Sequence, residues 1–119
     1  MGELKASQWQ PHATFEVRRE RAAMLRYLRD FFYTRDVLEV ETPILSQSTV
    51  TDVYIDSFQV PTASGDYYLQ TSPEYHMKRL LASGAGSIYQ ITKAFRHESA
   101  GQFHNPEFSM LEWYRPGFD

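Results

Sequence analysis

The sequence predicts an α+β fold, an antiparallel sheet with flanking helices. Three observations carry this. A helical period fills residues 16–35, and a second helix start stands at Ser72-Pro73. Around these, short runs rich in β-branched and aromatic residues are bounded by turn signals. The runs follow one another as hairpins instead of alternating with helices, which argues against a parallel doubly wound sheet. Gly84-Ala85-Gly86 has neither dinucleotide-loop nor P-loop spacing.

Taken in order, residues 1–14 carry no period and read as a lead-in. In EVRRERAAMLRYLRDFFYTR, Val17, Met24 with Leu25, Leu28, and Phe31 with Phe32 recur at helical spacing, with charged residues between them. VLEVETPIL follows. Val37, Leu38 and Val40 give a short strand, and Pro43 stops it. SQSTVTD is a polar loop, VYIDSFQV (53–60) a strand, GDY a turn and YYLQT the returning strand. Ser72 supplies a cap hydroxyl, Pro73 the first helical position and Glu74 a first-turn acid, for a helix that ends at Gly84. A strand over 87–98, a loop over 99–106 and a strand through Tyr114 complete the chain.

The chain has 119 residues, enough for one domain or a piece of a larger one. A hydrophobic share of 42% argues against disorder. Without cysteine, disulfides and thiolate metal sites drop out, which fits a reducing cytoplasm. No stretch has the apolar length of a membrane span, and MGELKASQWQ lacks a signal-peptide core. Residues 1–35 balance at +3 and residues 36–119 at −6. One basic helix on a mildly acidic chain is a poor nucleic-acid footprint and reads as a solvated face.

The densest chemistry lies in FRHESAGQFHNPEFSMLEWY, residues 95–114. Counted in twos, Arg96 and Glu98 share a face on the way in, and Phe108, Met110, Glu112 and Tyr114 share one on the way out. Gly101, His104 and Asn105 lie between. A cation, carboxylates, an aromatic plate and a loop of donors suit a small charged molecule. His97, Glu98, His104 and Glu107 lack the spacing of known zinc sites, so no metal is assigned to them.

These segments carry a resemblance. VLEVETPIL after an amphipathic helix resembles motif 1 of the class II aminoacyl-tRNA synthetases, and FRHE with HNPEFSMLEWY resembles motif 2. HNPEF with a following E-x-Y, and TSPEYHMKRL, are similar to the lysyl branch of that class. Ser72, Trp113 and Pro116 bring the chain closer to the paralogues in that branch that ligate (R)-β-lysine to elongation factor P. FRHE stands where FRNE is more usual. The likeness runs from about residue 16 to the end.

The resemblance implies a partial class II catalytic fold from residue 16 onward that activates (R)-β-lysine or lysine with ATP and passes it to a lysine of elongation factor P. Arg96 would meet the α-phosphate and the substrate carboxylate. Phe108 would stack on adenine, and Glu98 would accept from the adenine amino group or hold Arg96. His97, His104 and Asn105 would contribute further ATP contacts. Ser72, Pro73 and Glu74 would line the pocket for one amino group, and Glu112 with Tyr114 would grip the far ammonium. Without the resemblance, a surface Arg96–Glu98 pair and a core Phe108 are the plainer readings. The family's third motif and its magnesium ligands are expected beyond residue 119, so the isolated chain is expected to be inactive. An N-terminal anticodon-binding domain is not expected, and tRNA is not an expected partner. Motif 1 implies a homodimer through residues 16–45, with Pro43 near its axis. Two alternatives stay open: a lysyl-tRNA synthetase catalytic fragment, and a non-catalytic module that dimerises or binds ATP.

Overall fold

The computed structural model describes residues 13–47, 57–97 and 105–117. Helix α1 (Phe15–Tyr33) leads. Thr14 caps it, its hydroxyl accepting from the Val17 N–H at 3.2 Å. Two short strands follow, β1 (Leu38–Glu39) and β2 (Leu45–Ser46), then β3 (Gln59–Thr62) and β4 (Gly65–Leu69). Helix α2 (Glu74–Ala82) precedes two long strands, β5 (Ile88–Phe95) and β6 (Glu107–Tyr114).

The strands form two three-stranded sheets, one ordered β1-β5-β6 and the other β2-β4-β3. β5 and β6 pair antiparallel from Ile88↔Tyr114 to Phe95↔Glu107. The second sheet is antiparallel throughout. The first is not, and this corrects the purely antiparallel expectation: β1 runs parallel to β5, with Leu38 opposite Ile88. The residues from Val40 to Ser87 separate the two strands, ample chain for a crossover that returns in the same direction.

Other boundaries shift. β1 stops at Glu39, well before Pro43, although the Val40 N–H still donates to Tyr89 O at 2.9 Å. Two-residue β2 was not foreseen. The 53–60 strand is observed as Gln59–Thr62, residues 53–56 lying outside the described set. The turn sits at Ala63-Ser64, one step before GDY, and Gly65 already opens β4 with φ +125°. Pro73 is the cap residue of α2 and not its first turn. The Ser72 hydroxyl instead accepts from the Glu74 N–H at 3.4 Å. β5 ends at Phe95, three residues short of expectation, so Arg96 lies just past the strand; Glu98, expected to share its face, lies outside the described residues.

One core cluster lies between α1 and the helix-side face of the first sheet, and Ile88 and Ala94 on the opposite face are fully buried, as is Met77 of α2. Phe32 stacks on Tyr89 with ring centroids 4.2 Å apart, Val37 closes the cluster, and Ile91 and Leu111 pack against it. The opposite face alternates as a strand must: Ile88, Gln90, Thr92 and Ala94 stand beside Tyr114, Glu112, Met110 and Phe108. Gln70 joins the two sheets. Its carbonyl accepts from the Phe95 N–H at 2.9 Å, and its amide donates to Lys93 O at 2.7 Å.

Candidate functional site

The face of β5 and β6 turned away from α1, open along β6 but fully buried at Ile88, Gln90 and Ala94 of β5, carries the nominated residues at its two ends. β6 is half-buried at Phe108, Met110, Glu112 and Tyr114 and exposed at Glu107, Ser109 and Trp113. The alternation read from the sequence is therefore the alternation observed.

At the β5 exit, the Arg96 guanidinium lies over the Phe108 ring, 5.3 Å from its centroid. The Arg96 N–H donates to Pro106 O at 3.0 Å, which continues the ladder one step past the strand and fixes the backbone from which the guanidinium projects. Arg96 is exposed, so its charge is open to an anion. His97 packs edge-on against Phe58, centroids 5.1 Å apart. Asn105 is exposed just ahead of β6. Glu98 and His104 lie outside the described residues.

Four residues along β6, roughly 13 Å at strand rise, is an acidic cluster. The Tyr114 hydroxyl donates to Glu112 Oε2 at 3.0 Å. Burial pushes the Glu112 carboxyl above its ordinary range. The Tyr114 hydrogen bond opposes that rise, the Glu74 charge adds to it and Lys78 opposes it. Tyr114 is likewise raised, first by burial, then by its bond to Glu112 and by the charges of Glu112 and Glu74. The Glu74 charge is thus felt by both Glu112 and Tyr114, and the Lys78 charge by Glu112. Lys78 Nζ lies 2.6 Å from Glu74 Oε1, one helical turn away. Pro73, fully buried, fixes the entry to α2, and Ser72 is half-buried beside it.

The structure thus brings Glu74, Glu112 and Tyr114 together, and separately Arg96 and Phe108. Sequence reasoning missed Lys78, although its Glu-to-Lys spacing of four was visible. It also missed Gln70, whose Oε1 is buried and accepts no hydrogen bond among the described residues. An amide in a polar run gives no such signal. Two grooves of about 340 and 330 Å³ are walled by α1, on the other side of the sheet, and none of the nominated residues lines either. Among the described residues, no group of three His, Cys, Asp or Glu side chains could hold a metal ion. No described helix is long and apolar enough to cross a membrane.

A half-buried acid paired with a tyrosine, a second acid nearby, and an exposed guanidinium over an aromatic ring can together hold a molecule with ammonium groups at one end and a flat anionic group at the other. Comparison with known proteins bears on which molecule. The family model for class II tRNA synthetases (D, K and N) matches residues 6–118. A Photobacterium profundum protein named elongation factor P–(R)-beta-lysine ligase is 54% identical over 117 residues, covering 93% of this chain and 36% of its own length. Proteins of the same name from Pseudoalteromonas translucida and Vibrio cholerae are 55% and 53% identical, covering 98% and 95% of this chain. They are matched over 38% and 37% of their own length, so the chain spans little more than a third of these curated relatives.

Proposed function

The chain belongs to the class II (D, K and N) tRNA synthetase family, and from that premise we propose that it forms part of an ATP-dependent ligase. This ligase activates (R)-β-lysine, or lysine, as an adenylate and transfers it to a lysine side chain of elongation factor P. The names and identities of the relatives support the activity and the acceptor. The observation that carries the substrate class is the Glu112–Tyr114 pair facing Glu74 at one end of a sheet face, with Arg96 over Phe108 at the other.

In this reading Phe108 offers its free face to adenine. Arg96 binds the substrate carboxylate and the α-phosphate, and holds the charge that grows there when a carboxylate oxygen attacks phosphorus and pyrophosphate departs. His97 and Asn105 flank the same exit, with Glu98 and His104 as further ATP contacts. Glu74, at the start of α2 beside Ser72 and Pro73, takes one substrate ammonium. Glu112 takes the other while Tyr114 holds the carboxylate. The half-buried Glu112 gains a counter-ion when the ligand arrives, which is why an ammonium is preferred there to a neutral group. An amine of the acceptor then attacks the mixed anhydride and AMP leaves. The chain's contribution is positioning and charge, with no covalent nucleophile. Magnesium would enter with ATP and offset its phosphate charge, and among the described residues no group of three His, Cys, Asp or Glu could hold it.

A homodimer through residues 16–45 is supported by the exposed apolar side chains of Val17, Met24, Tyr27, Leu38, Ile44 and Leu45 on α1 and the segment after it. A cytoplasmic location and little engagement with tRNA complete the reading.

The test is calorimetric binding of non-hydrolysable sulfamoyl analogues of (R)-β-lysyl and lysyl adenylate. The (R)-β-lysyl analogue should bind more tightly, and Arg96→Ala should abolish measurable binding of both. Equal binding of a neutral-side-chain analogue would reject the acidic cluster as the ammonium site.

A further inference from the structure

Thr42 and Gln90 have no part in the roles above. Gln90 lies on β5, 2% exposed, with its Cα directly opposite that of Glu112. The two side chains share the open face, where opposed Cβ atoms stand roughly 4.5–5.5 Å apart. An amide so close to a half-buried carboxylate would ordinarily donate to it, because hydrogen bonds to a charged acceptor are the stronger kind.

Gln90 is committed elsewhere. Its Nε2 donates to Thr42 Oγ1 at 2.9 Å, and its Oε1 accepts from the Thr42 N–H at 3.1 Å. A backbone N–H only donates, so the amide cannot be reversed without losing that bond. The amide therefore points across β5 toward the segment after β1, away from β6. Among the described residues, Glu112 has a recorded hydrogen bond only from Tyr114. Among the described residues, the charged and titratable groups that act on it are Tyr114, Glu74 and Lys78, and Gln90 is its neutral neighbour.

We propose that Thr42 and Gln90 are positioning residues: by binding both ends of the Gln90 amide, Thr42 keeps it off Glu112 and leaves the carboxylate's free lone pairs for a ligand ammonium. The inference rests on the proposed ammonium role of Glu112. It adds a condition for that role, supplied by the segment that precedes Pro43. The upward displacement of the Glu112 carboxyl, with burial as its first cause and a single donor to relieve it, is what such sequestration produces.

Thr42→Val tests this, since it removes Oγ1 but keeps the shape and the backbone N–H. The freed Nε2 can then turn to the Glu112 carboxylate, whose Cα stands opposite that of Gln90. Carbon-13 NMR of the Glu112 carboxyl should show its titration moving down, and the (R)-β-lysyl adenylate analogue should bind about tenfold more weakly. Adding Gln90→Leu to Thr42→Val removes the competing donor, so titration and affinity should both recover. A merely structural role predicts a further loss in the double variant. Thr42→Ser keeps the hydroxyl and should match the parent. An unchanged titration in Thr42→Val, or a double variant weaker than the single, overturns the proposal. If the titration moves as expected but the parent binds no analogue, the arrangement stands and the ammonium reading of Glu112 falls.

Discussion

The two faces of the β5–β6 ladder are made from the same strands, yet they are built on opposite principles. On the helix side, Tyr89, Ile91 and Leu111 meet Phe32 and Val37, and apolar contact does the stabilising. The Tyr89 hydroxyl within this cluster is satisfied: it donates to Glu39 Oε1 at 3.0 Å, and Glu39 is held by Arg29 at 3.2 Å. On the other face, open along β6, a carboxylate stands half-buried with one hydrogen-bond donor among the described residues, and an amide beside it is tied elsewhere. A face that only had to be stable would not leave Glu112 in that state. The difference separates side chains that hold the sheet from side chains kept ready for a ligand.

Substitutions should therefore split by face. The largest effect belongs to the helix side. Phe32→Ala removes a 5%-exposed ring stacked on Tyr89 and leaves a cavity that β5 and α1 cannot fill, so urea denaturation should report a loss of about 3–5 kcal/mol. On the open face, Glu112→Gln should cost little stability but at least about 2 kcal/mol in binding of a lysine-like ligand, read by calorimetry. Its pH signature has a definite sign. The folded carboxyl holds its proton more tightly than the unfolded one, so its contribution to stability is present below the ordinary value of 4.5 and is lost as pH rises through the displaced folded value. Denaturation midpoints measured across that window should fall in the parent, and fall less in Glu112→Gln. A parent whose midpoint rises there would contradict the burial of Glu112.

Tyr89 gives an intermediate case on the helix side. Burial first, and then its bond to Glu39 and the charge on that residue, push the hydroxyl up to about 12. Its stabilisation is therefore complete below its ordinary value of 10 and lost as pH climbs through 12. Tyr89→Phe keeps the stacked ring and removes only the hydrogen bond, for a loss of about 1.5 kcal/mol at neutral pH. Ultraviolet titration of the parent should lack this tyrosine's absorbance change near pH 10.

Much of this division was legible in the sequence, because it depends on local period. Leu25, Leu28 and Phe32 mark one side of α1, and Phe108, Met110, Glu112 and Tyr114 mark one side of β6. Neither assignment needs knowledge of a distant partner. What was not legible is non-local. Nothing in VLEVETPIL says that its strand runs parallel to one nearly fifty residues later, and a two-residue strand such as Leu45–Ser46 is too short to show a period. Gln90 looks like an ordinary polar interruption in IYQIT, and only the return of Thr42 to its side makes it a buried amide held at both its nitrogen and its oxygen. The contact of Arg96 with Phe108 was not foreseen, since Arg96 was expected on a strand face with Glu98. It comes instead from a residue just past the strand end, held by the Pro106 carbonyl. Chemistry-bearing residue types were thus readable, while the contacts that orient them were set by tertiary approach.

The smallest effect is the one that most sharpens the contrast between the faces. Lys78 and Glu74 form an ion pair one helical turn apart, with side chains 59% and 54% exposed. Such a pair contributes about 0.3–0.5 kcal/mol, and molar salt, with a Debye length of about 3 Å, removes most of it. Lys78→Met should therefore lower thermal stability barely measurably at low salt and not at all at high salt. The same substitution removes a cation that opposes the rise of the Glu112 carboxyl, so the Glu112 titration should move further up. A variant that leaves stability almost untouched yet shifts that titration would show that the open face is tuned by charge placement. A variant that lowers stability substantially and leaves the titration in place would put Lys78 with the packing residues, and the two faces would no longer be distinct in kind.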